Sequence, residues 1–442
     1  MKRIMILIGV CVFLGAGQAQ AGKILNEHLP DWLKVDLEFR HRFEYRQNFD
    51  FNDTADDEDG FNLYRSRLNV SLIPEEDFKI FTQFQDARIS HDRFASKTPY
   101  ENYMDLRQFY IEADDLLSEE DIHLSSLGVR GGRQELAYGA QRLIGGFNWS
   151  NVAQTFDAGK IMAEFEPYHL NIDLFAGTLT PNKSPREADD LYDGSSKDRI
   201  GGYYATYKGF ASATLENYLI NRKTNKNISF GPSGSRELDD YTFGGRLTGK
   251  IAGTGFDYEL EAAKQWGDFD DLNVNALMAV GIIGYTFDYA WQPRAAFEFD
   301  YASGDNEASD DDKETFDNLY PTNHLYYGYM DLASLQNLNN YHFQASVKPV
   351  KKLSLQADAH LIYLDTAKDS LYNAGRGVTR TASGTGVDTH VGNELDLTAK
   401  YKVCDYADVL LGYSHFFAGK YLEESGADDD GDFAYVQTTL SF

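Results

Sequence analysis

Arg40, Arg42 and Arg46 recur at even spacing in VDLEFRHRFEYRQ, and Arg65 and Arg67 do the same in NLYRSRLNV. A guanidinium is a planar fork that grips a carboxylate through two parallel hydrogen bonds. Even spacing puts all such forks on one face of a β-strand. A row of them is a track for carboxylate-bearing solutes. The bland reading is that each pairs with an acid on the next strand and stiffens a wall. The same spacing joins Arg133 to Glu135, Arg246 to Lys250, and Arg294 to Glu298 and Asp300. It also gathers Asp257, Glu259 and Glu261, and sets Glu394 and Asp396 beside Lys400 and Lys402. Arginine rings favour anions and acid rings favour cations, so a lining of both signs is expected.

Positions of the other parity are apolar. Val35, Leu37, Phe39, Phe43 and Tyr45 alternate with Lys34, Asp36, Glu38, Arg40, Arg42, Glu44 and Arg46. Such a strand suits a soluble sandwich packed on a core, or a barrel with lipid outside and a wet lumen inside. The links between strands choose. The alternation predicts strands over 32–46, 61–73, 78–89, 103–113, 127–138, 152–165, 167–178, 199–209, 211–221, 240–251, 255–266, 275–288, 292–303, 339–349, 353–365, 391–402, 407–418 and 432–442. Within successive pairs the links are tight, as at Pro74 to Asp77, Ala252 to Thr254 and Cys404 to Tyr406. Asp114 to Ser126 is the long exception on that side. Between pairs they are long and polar: Gln47 to Gly60, Leu179 to Asp198, Gly304 to Leu338 and Thr366 to His390. Short turns at one rim and long loops at the other are the plan of outer-membrane barrels. The predicted fold is all-β, a transmembrane antiparallel β-barrel of about 18 strands around an aqueous channel, with short periplasmic turns and long acidic extracellular loops.

The chain opens with Met1, Lys2 and Arg3, an apolar stretch from Ile4 to Gly15, and Ala19-Gln20-Ala21. That is the pattern of a secretory signal peptide over 1–21, which leaves 22–442 as one barrel domain. Cys11 belongs to the leader, so Cys404 alone remains and neither a disulfide within the chain nor a cysteine metal site is available. The most apolar later segment, Ala276 to Phe287, is short and broken by Gly281, Gly284 and Thr286, so helical spans are not expected. Abundant Tyr and Phe, 29 of each against 10 Pro, suit pleated strands with aromatic belts. A net charge of −28 argues against nucleic acid as a partner. The acid runs at Asp53 to Asp59, Asp310 to Asp312 and Asp428 to Asp432 lack the spacing and terminal Glu of an EF-hand, so they read as solvated loop acids near lipid and lipopolysaccharide. No metal and no cofactor is expected. Ser414 and His415 are the nearest thing to a hydrolytic pair, but neighbours on a strand face opposite sides. The alternating segment from Phe433 ends on Phe442, as outer-membrane assembly signals do.

Four segments carry a resemblance. GGRQELAYGAQRLIGGFNWSNVAQTFDAGKI from Gly131, PTNHLYYGYMDL from Pro321, DLRQFYIEA from Asp105 and NELDLTAKYK from Asn393 resemble the alginate export family of outer-membrane porins. The resemblance implies a monomeric barrel whose arginine-lined constriction passes a polyuronate out of the cell, in company with periplasmic export partners. By position it marks Arg107, Arg133, Glu135, Glu394 and Asp396. Two departures stand out: Gln154 and Lys160 occupy places where arginine is expected, and no Lys or Arg occurs between Lys402 and Lys420. The positive wall is therefore expected to be thinner. The expected function is a channel for an anionic polysaccharide or a related anionic or polar saccharide. General anion or small-solute uptake is the alternative, and a barrel enzyme or an adhesin the remote one. The expected pore lining is Arg40, Arg42, Arg65, Arg67, Arg107, Arg133, Glu135, Arg246, Arg294, Glu394 and Asp396.

Overall fold

The computed structural model describes residues 26–54, 57–93, 99–182, 198–381 and 386–442. The leader expected over 1–21 lies outside them. The wall strands are β1 (Leu33–Gln47), β2 (Asp59–Glu75), β3 (Phe78–Ser90), β4 (Asn102–Ala113), β5 (Ser126–Gln134), β6 (Phe156–Phe165), β7 (Leu170–Leu179), β8 (Asp198–Phe210) and β9 (Ala213–Ser229). The second half comprises β10 (Ser235–Lys250), β11 (Phe256–Phe269), β12 (Leu272–Thr286), β13 (Arg294–Ala302), β14 (Leu338–Val350), β15 (Leu353–Tyr363), β16 (His390–Cys404), β17 (Ala407–Ala418) and β18 (Gly431–Ser441). Each pairs antiparallel with the next. β18 then returns to β1, from Glu38 opposite Ser441 to Gln47 opposite Asp432, and closes an 18-strand barrel. Closure pairs the backbone groups that an open edge would leave bare in hydrocarbon. No helix among the described residues is long and apolar enough to cross a membrane.

The pleat separates two environments. Leu37, Phe39, Phe43, Phe109, Ile111, Ile161, Leu174, Phe343 and Leu397 face outward and are exposed. Each would cost about 1.5–3 kcal/mol to leave in water, so a continuous belt of them needs lipid. The opposite parity carries the arginines and acids, and these are buried within the barrel.

Two stretches differ from the expected boundaries. β9 and β10 run on to Ser229 and from Ser235, so only five residues join them where a long link was expected. There the strands keep their hydrogen bonds but both faces become polar, as in Arg222-Lys223-Thr224, and the hydrophobic alternation that reveals a strand disappears. Conversely, β5 stops at Gln134 and β6 starts at Phe156. The apolar residues between them, Leu136, Leu143 and Ile144, are buried as loop residues that fold into the barrel.

That loop, 135–155, meets the longer loop 303–337 inside the lumen. Gly145 N–H donates to Tyr320 O at 2.9 Å, Tyr320 N–H to Leu143 O at 2.8 Å, and Thr322 N–H to Gln141 O at 2.9 Å. Phe316, Leu319, Tyr320, Tyr327, Met330 and Leu335 join Leu136 and Ile144 in one buried cluster. The barrel thus holds a small packed core inside what an empty lumen would leave to water. A third loop follows β15, and its described part, 364–381, ties to this core where Ala374 N–H donates to Asp331 O at 3.0 Å.

Candidate functional site

Strands β1, β2 and β4 supply a basic stretch of wall. Arg40 stands opposite Arg65, and Arg67 lies one step along the same face of β2. Their forks close on the backbone of Asn148-Trp149-Ser150 in loop 135–155. Arg40 donates to Asn148 O at 2.7 Å and Ser150 O at 3.1 Å, and Arg65 to Asn148 O at 3.0 Å. Arg42 donates to Trp149 O at 2.8 Å, while Arg67 reaches the side-chain oxygen of Asn148 at 2.9 Å. A buried loop carbonyl without a donor is costly, and Arg40, Arg42 and Arg65 supply donors to the inserted backbone. Arg107 faces inward because β4 carries a bulge at that point, turning both Arg107 and Gln108 into the barrel. It bonds Gln83 at 2.6 Å and pairs with Glu135.

Farther round the wall, from β9 to β16, acids predominate. Arg246 on β10 is held between Glu216 at 2.7 Å and Glu259 at 2.5 Å, and Arg294 on β13 between Asp257 at 2.6 Å and Gln344 at 2.9 Å. Glu298, Asp300, Asp358, Glu394 and Asp396 line β13, β15 and β16, all buried. Loop 135–155 sends one cation to this side. Arg142, fully buried, contacts Glu259, Glu261 at 3.2 Å and Glu298 at 2.9 Å.

One expected lining residue is misplaced. Arg133 shares its parity with Val129 and stands opposite Phe109, both exposed on the outer face, and its partner there is Asp157 at 2.8 Å. Arg130, Gly132 and Gln134 take the inward positions of β5, and Glu135 reaches the lumen only because the strand has already ended. Segment GVRGGRQ has Val129 as its single large apolar side chain, so few residues mark which face is greasy. Sequence reasoning also passed over Arg142 and Trp149. Trp149 is clasped between the Arg42 guanidinium at 3.7 Å and the His324 ring at 3.8 Å. The two segments that first suggested a family, NWSN and PTNH, therefore touch each other. Gln154, standing where arginine was expected, donates to Gly145 O at 2.6 Å and Tyr320 O at 2.9 Å and so clamps both loops. Ser414 faces the lumen, and His415 pairs with Asp432 at 2.9 Å on the other side of the same strand.

The alginate export family model matches residues 31–436. The chain belongs to the alginate export family. Solved structures agree on the architecture. OccAB1 of Acinetobacter baumannii has a TM-score of 0.62 at 9% identity, covering 93% of this chain and 97% of that one. OccAB2 of the same organism gives 0.61 at 12% identity over 93% and 98%. OccK2 of Pseudomonas aeruginosa, solved in complex with glucuronate, gives 0.57 at 10% identity over 93% and 96%. At such identities the likeness speaks for fold alone. No curated protein matches the chain. Family and fold together make this an outer-membrane channel.

At its extracellular mouth this alginate-export barrel has a vestibule of about 560 Å³, lined among others by Arg42, Arg46, Tyr100, Trp149, Asp331 and Arg380. Arg46 is tied to Glu44 at 2.7 Å and Arg380 to the carbonyls of Leu422 at 3.0 Å and Ala427 at 2.6 Å. A clip holds the outer end of loop 303–337. Asp317 pairs with Arg222 and, at 3.3 Å, with Arg376. Burial works to raise the Asp317 carboxyl, but the pull of Arg222, Arg376 and Lys313 prevails and holds it at about 2.

Proposed function

We propose that this channel passes an anionic saccharide, with the sugar's carboxylates drawn along the β1, β2 and β4 side of the lumen. The observation that carries the reading is the segregation of charge: Arg40, Arg42, Arg65, Arg67 and Arg107 are buried on β1, β2 and β4, and Glu298, Asp300, Asp358, Glu394 and Asp396 on β13, β15 and β16 of the same barrel. Separate basic and acidic sectors create a field that orients a carboxylate toward the guanidiniums, and it acts strongly in a narrow, poorly screened passage. Family membership points to a uronate polymer, and the glucuronate held by the similarly folded OccK2 is a sugar carboxylate of that class. Lipid and lipopolysaccharide would surround the belt, and export of a polymer would add periplasmic partners at the short-turn rim.

A small-solute channel is the second reading, favoured by the loops that fill the lumen. A vestibule of about 560 Å³ suits one or two sugar units rather than a threaded chain. Block of single-channel current by uronates of increasing length separates the two. For a polymer conduit, block should strengthen steadily from monomer to oligomer. If the monomer blocks as well as any oligomer, the small-solute reading stands. Indifference to uronates of every length would defeat both.

A further inference from the structure

On the outer face of the barrel the aromatic girdle has a gap. Tyr241 of β10 stands opposite Trp266 of β11, and the two rings are exposed and stacked with centroids 5.9 Å apart. Such rings mark the level at which hydrocarbon gives way to headgroups. Followed the other way round the wall, the same row of outward positions passes through Asn221 of β9 to Gly201, Ala176, Gly159 and Gly131 on β8, β7, β6 and β5, each opposite the next. From β8 to β5 that level therefore holds nothing larger than an alanine. A groove of about 490 Å³ opens there, walled on its periplasmic side by Val129, Ile161 and Leu174. A Cβ built on Gly131 or Gly159 would meet no atom within 4 Å, so the floor of the groove is bare.

One outward step toward the long loops the row turns polar. Arg133, Asp157, Thr178, Arg199 and Lys223 follow one another across β5 to β9. Arg133 pairs with Asp157 at 2.8 Å, and Lys223 pairs with Asp239 of β10. Arg199 is exposed, has no acid partner among the described residues, and stands directly opposite Lys223. Like charges opposite each other on neighbouring strands repel. A phosphate set between them would remove the repulsion and accept charge-assisted hydrogen bonds from both side chains. Both cations lie at the long-loop rim, where the wall meets the outer leaflet.

We propose that this gap seats one phosphorylated lipid of the outer leaflet, a lipopolysaccharide. A phosphate of its headgroup bridges Arg199 and Lys223, and an acyl chain below it fills the groove floored by Gly131, Gly159, Ala176 and Gly201. Charge selects this occupant over a second barrel, because a two-fold contact through the same patch would bring these cations toward their own copies. The site is independent of what the channel passes.

Native mass spectrometry of the full chain in detergent, after incubation with bisphosphorylated lipid A, tests it. The wild type should retain one lipid A, and removing the lipid's phosphates should lower occupancy by about tenfold or more, as the loss of charge-assisted hydrogen bonds implies. Arg199→Gln with Lys223→Gln should lower it by a similar factor. Gly159→Leu, which fills the groove and keeps both cations, should also lower it, whereas Lys348→Gln, at an exposed cation of the periplasmic rim, should leave it unchanged. Heat-modifiable migration on a gel identifies the variants that have folded, and the double substitution, on the exposed face, decides the matter even if Gly159→Leu does not fold. Equal retention of phosphorylated and dephosphorylated lipid overturns the proposal, as does undiminished occupancy in the double variant or in folded Gly159→Leu. Dimers that form without lipid and disappear in Gly159→Leu would overturn it too, and would give the groove to a second copy of the chain.

Discussion

At the scale of single residues, the barrel's arginines divide between holding the loop and facing the passage. Arg42 shows the first role most fully. It bonds the fully buried Glu44 at 2.6 Å, donates to Trp149 O and covers the Trp149 ring. Removing one member of a buried ion pair costs about 3–5 kcal/mol. Arg42→Ala should therefore lower the unfolding temperature and loosen loop 135–155, seen as protease cleavage near Trp149 that the wild type resists. Arg133→Gln makes the contrast. Its side chain sits on the outer face with Asp157, so anion preference and conductance should match the wild type; a changed reversal potential would return Arg133 to the lumen. Gly328 has φ +95°, and a Cβ there would lie 2.5 Å from Glu394 Oε2. Gly328→Ala should cost about 1–3 kcal/mol and unseat the neighbouring Met330, read as faster hydrogen exchange in loop 303–337. Alternation gave Arg40, Arg42, Arg65, Arg67 and Arg246 the inner parity from apolar neighbours such as Phe39, Phe43, Tyr64, Leu68 and Leu247, and gave Arg294 its parity from Phe297 and Phe299 farther along the strand. It failed at Arg133, where glycines leave the parity almost unmarked, and it had no way to see the bulge that turns Arg107.

At the scale of elements, strands were legible wherever lipid touches them, because lipid imposes the alternation being read. Above the belt that pressure ends, so the outer parts of β9 and β10 escaped notice although their ladder continues. Loop 135–155 was partly taken for strand because its apolar residues serve a core that only the folded lumen creates. Arg142 is the tie between that loop and the acidic wall. Arg142→Leu would leave Glu259, Glu261 and Glu298 buried without their shared cation, and the pore should become wider and noisier in bilayer recordings; unaltered conductance would show that the loop is held elsewhere. Asp317 is held at about 2, below its unfolded value, so its contribution to stability is complete above about pH 4 and fades as pH falls through about 2. At mild acidity loop 303–337 therefore remains tied through Asp317 to Arg222 and Arg376. Asp317→Asn should remove that anchor at neutral pH, which limited proteolysis of loop 303–337 would report.

At the scale of the whole molecule, a closed wall with an apolar exterior places this member of the alginate export family in the outer membrane. The loops built inside that wall bring its basic and acidic sides into one passage. The family-bearing segments were visible as sequence, yet their meeting at Trp149 and His324 depends on loops far apart in the chain and had no local signature. The most direct test of the charge-segregated channel is the reversal potential of single channels across a salt gradient, for the wild type and for Arg65→Gln with Arg67→Gln. The wild type should favour anions, and the double substitution should carry the reversal potential toward zero. A cation-preferring wild type, or a preference untouched by the loss of both guanidiniums, would contradict the account.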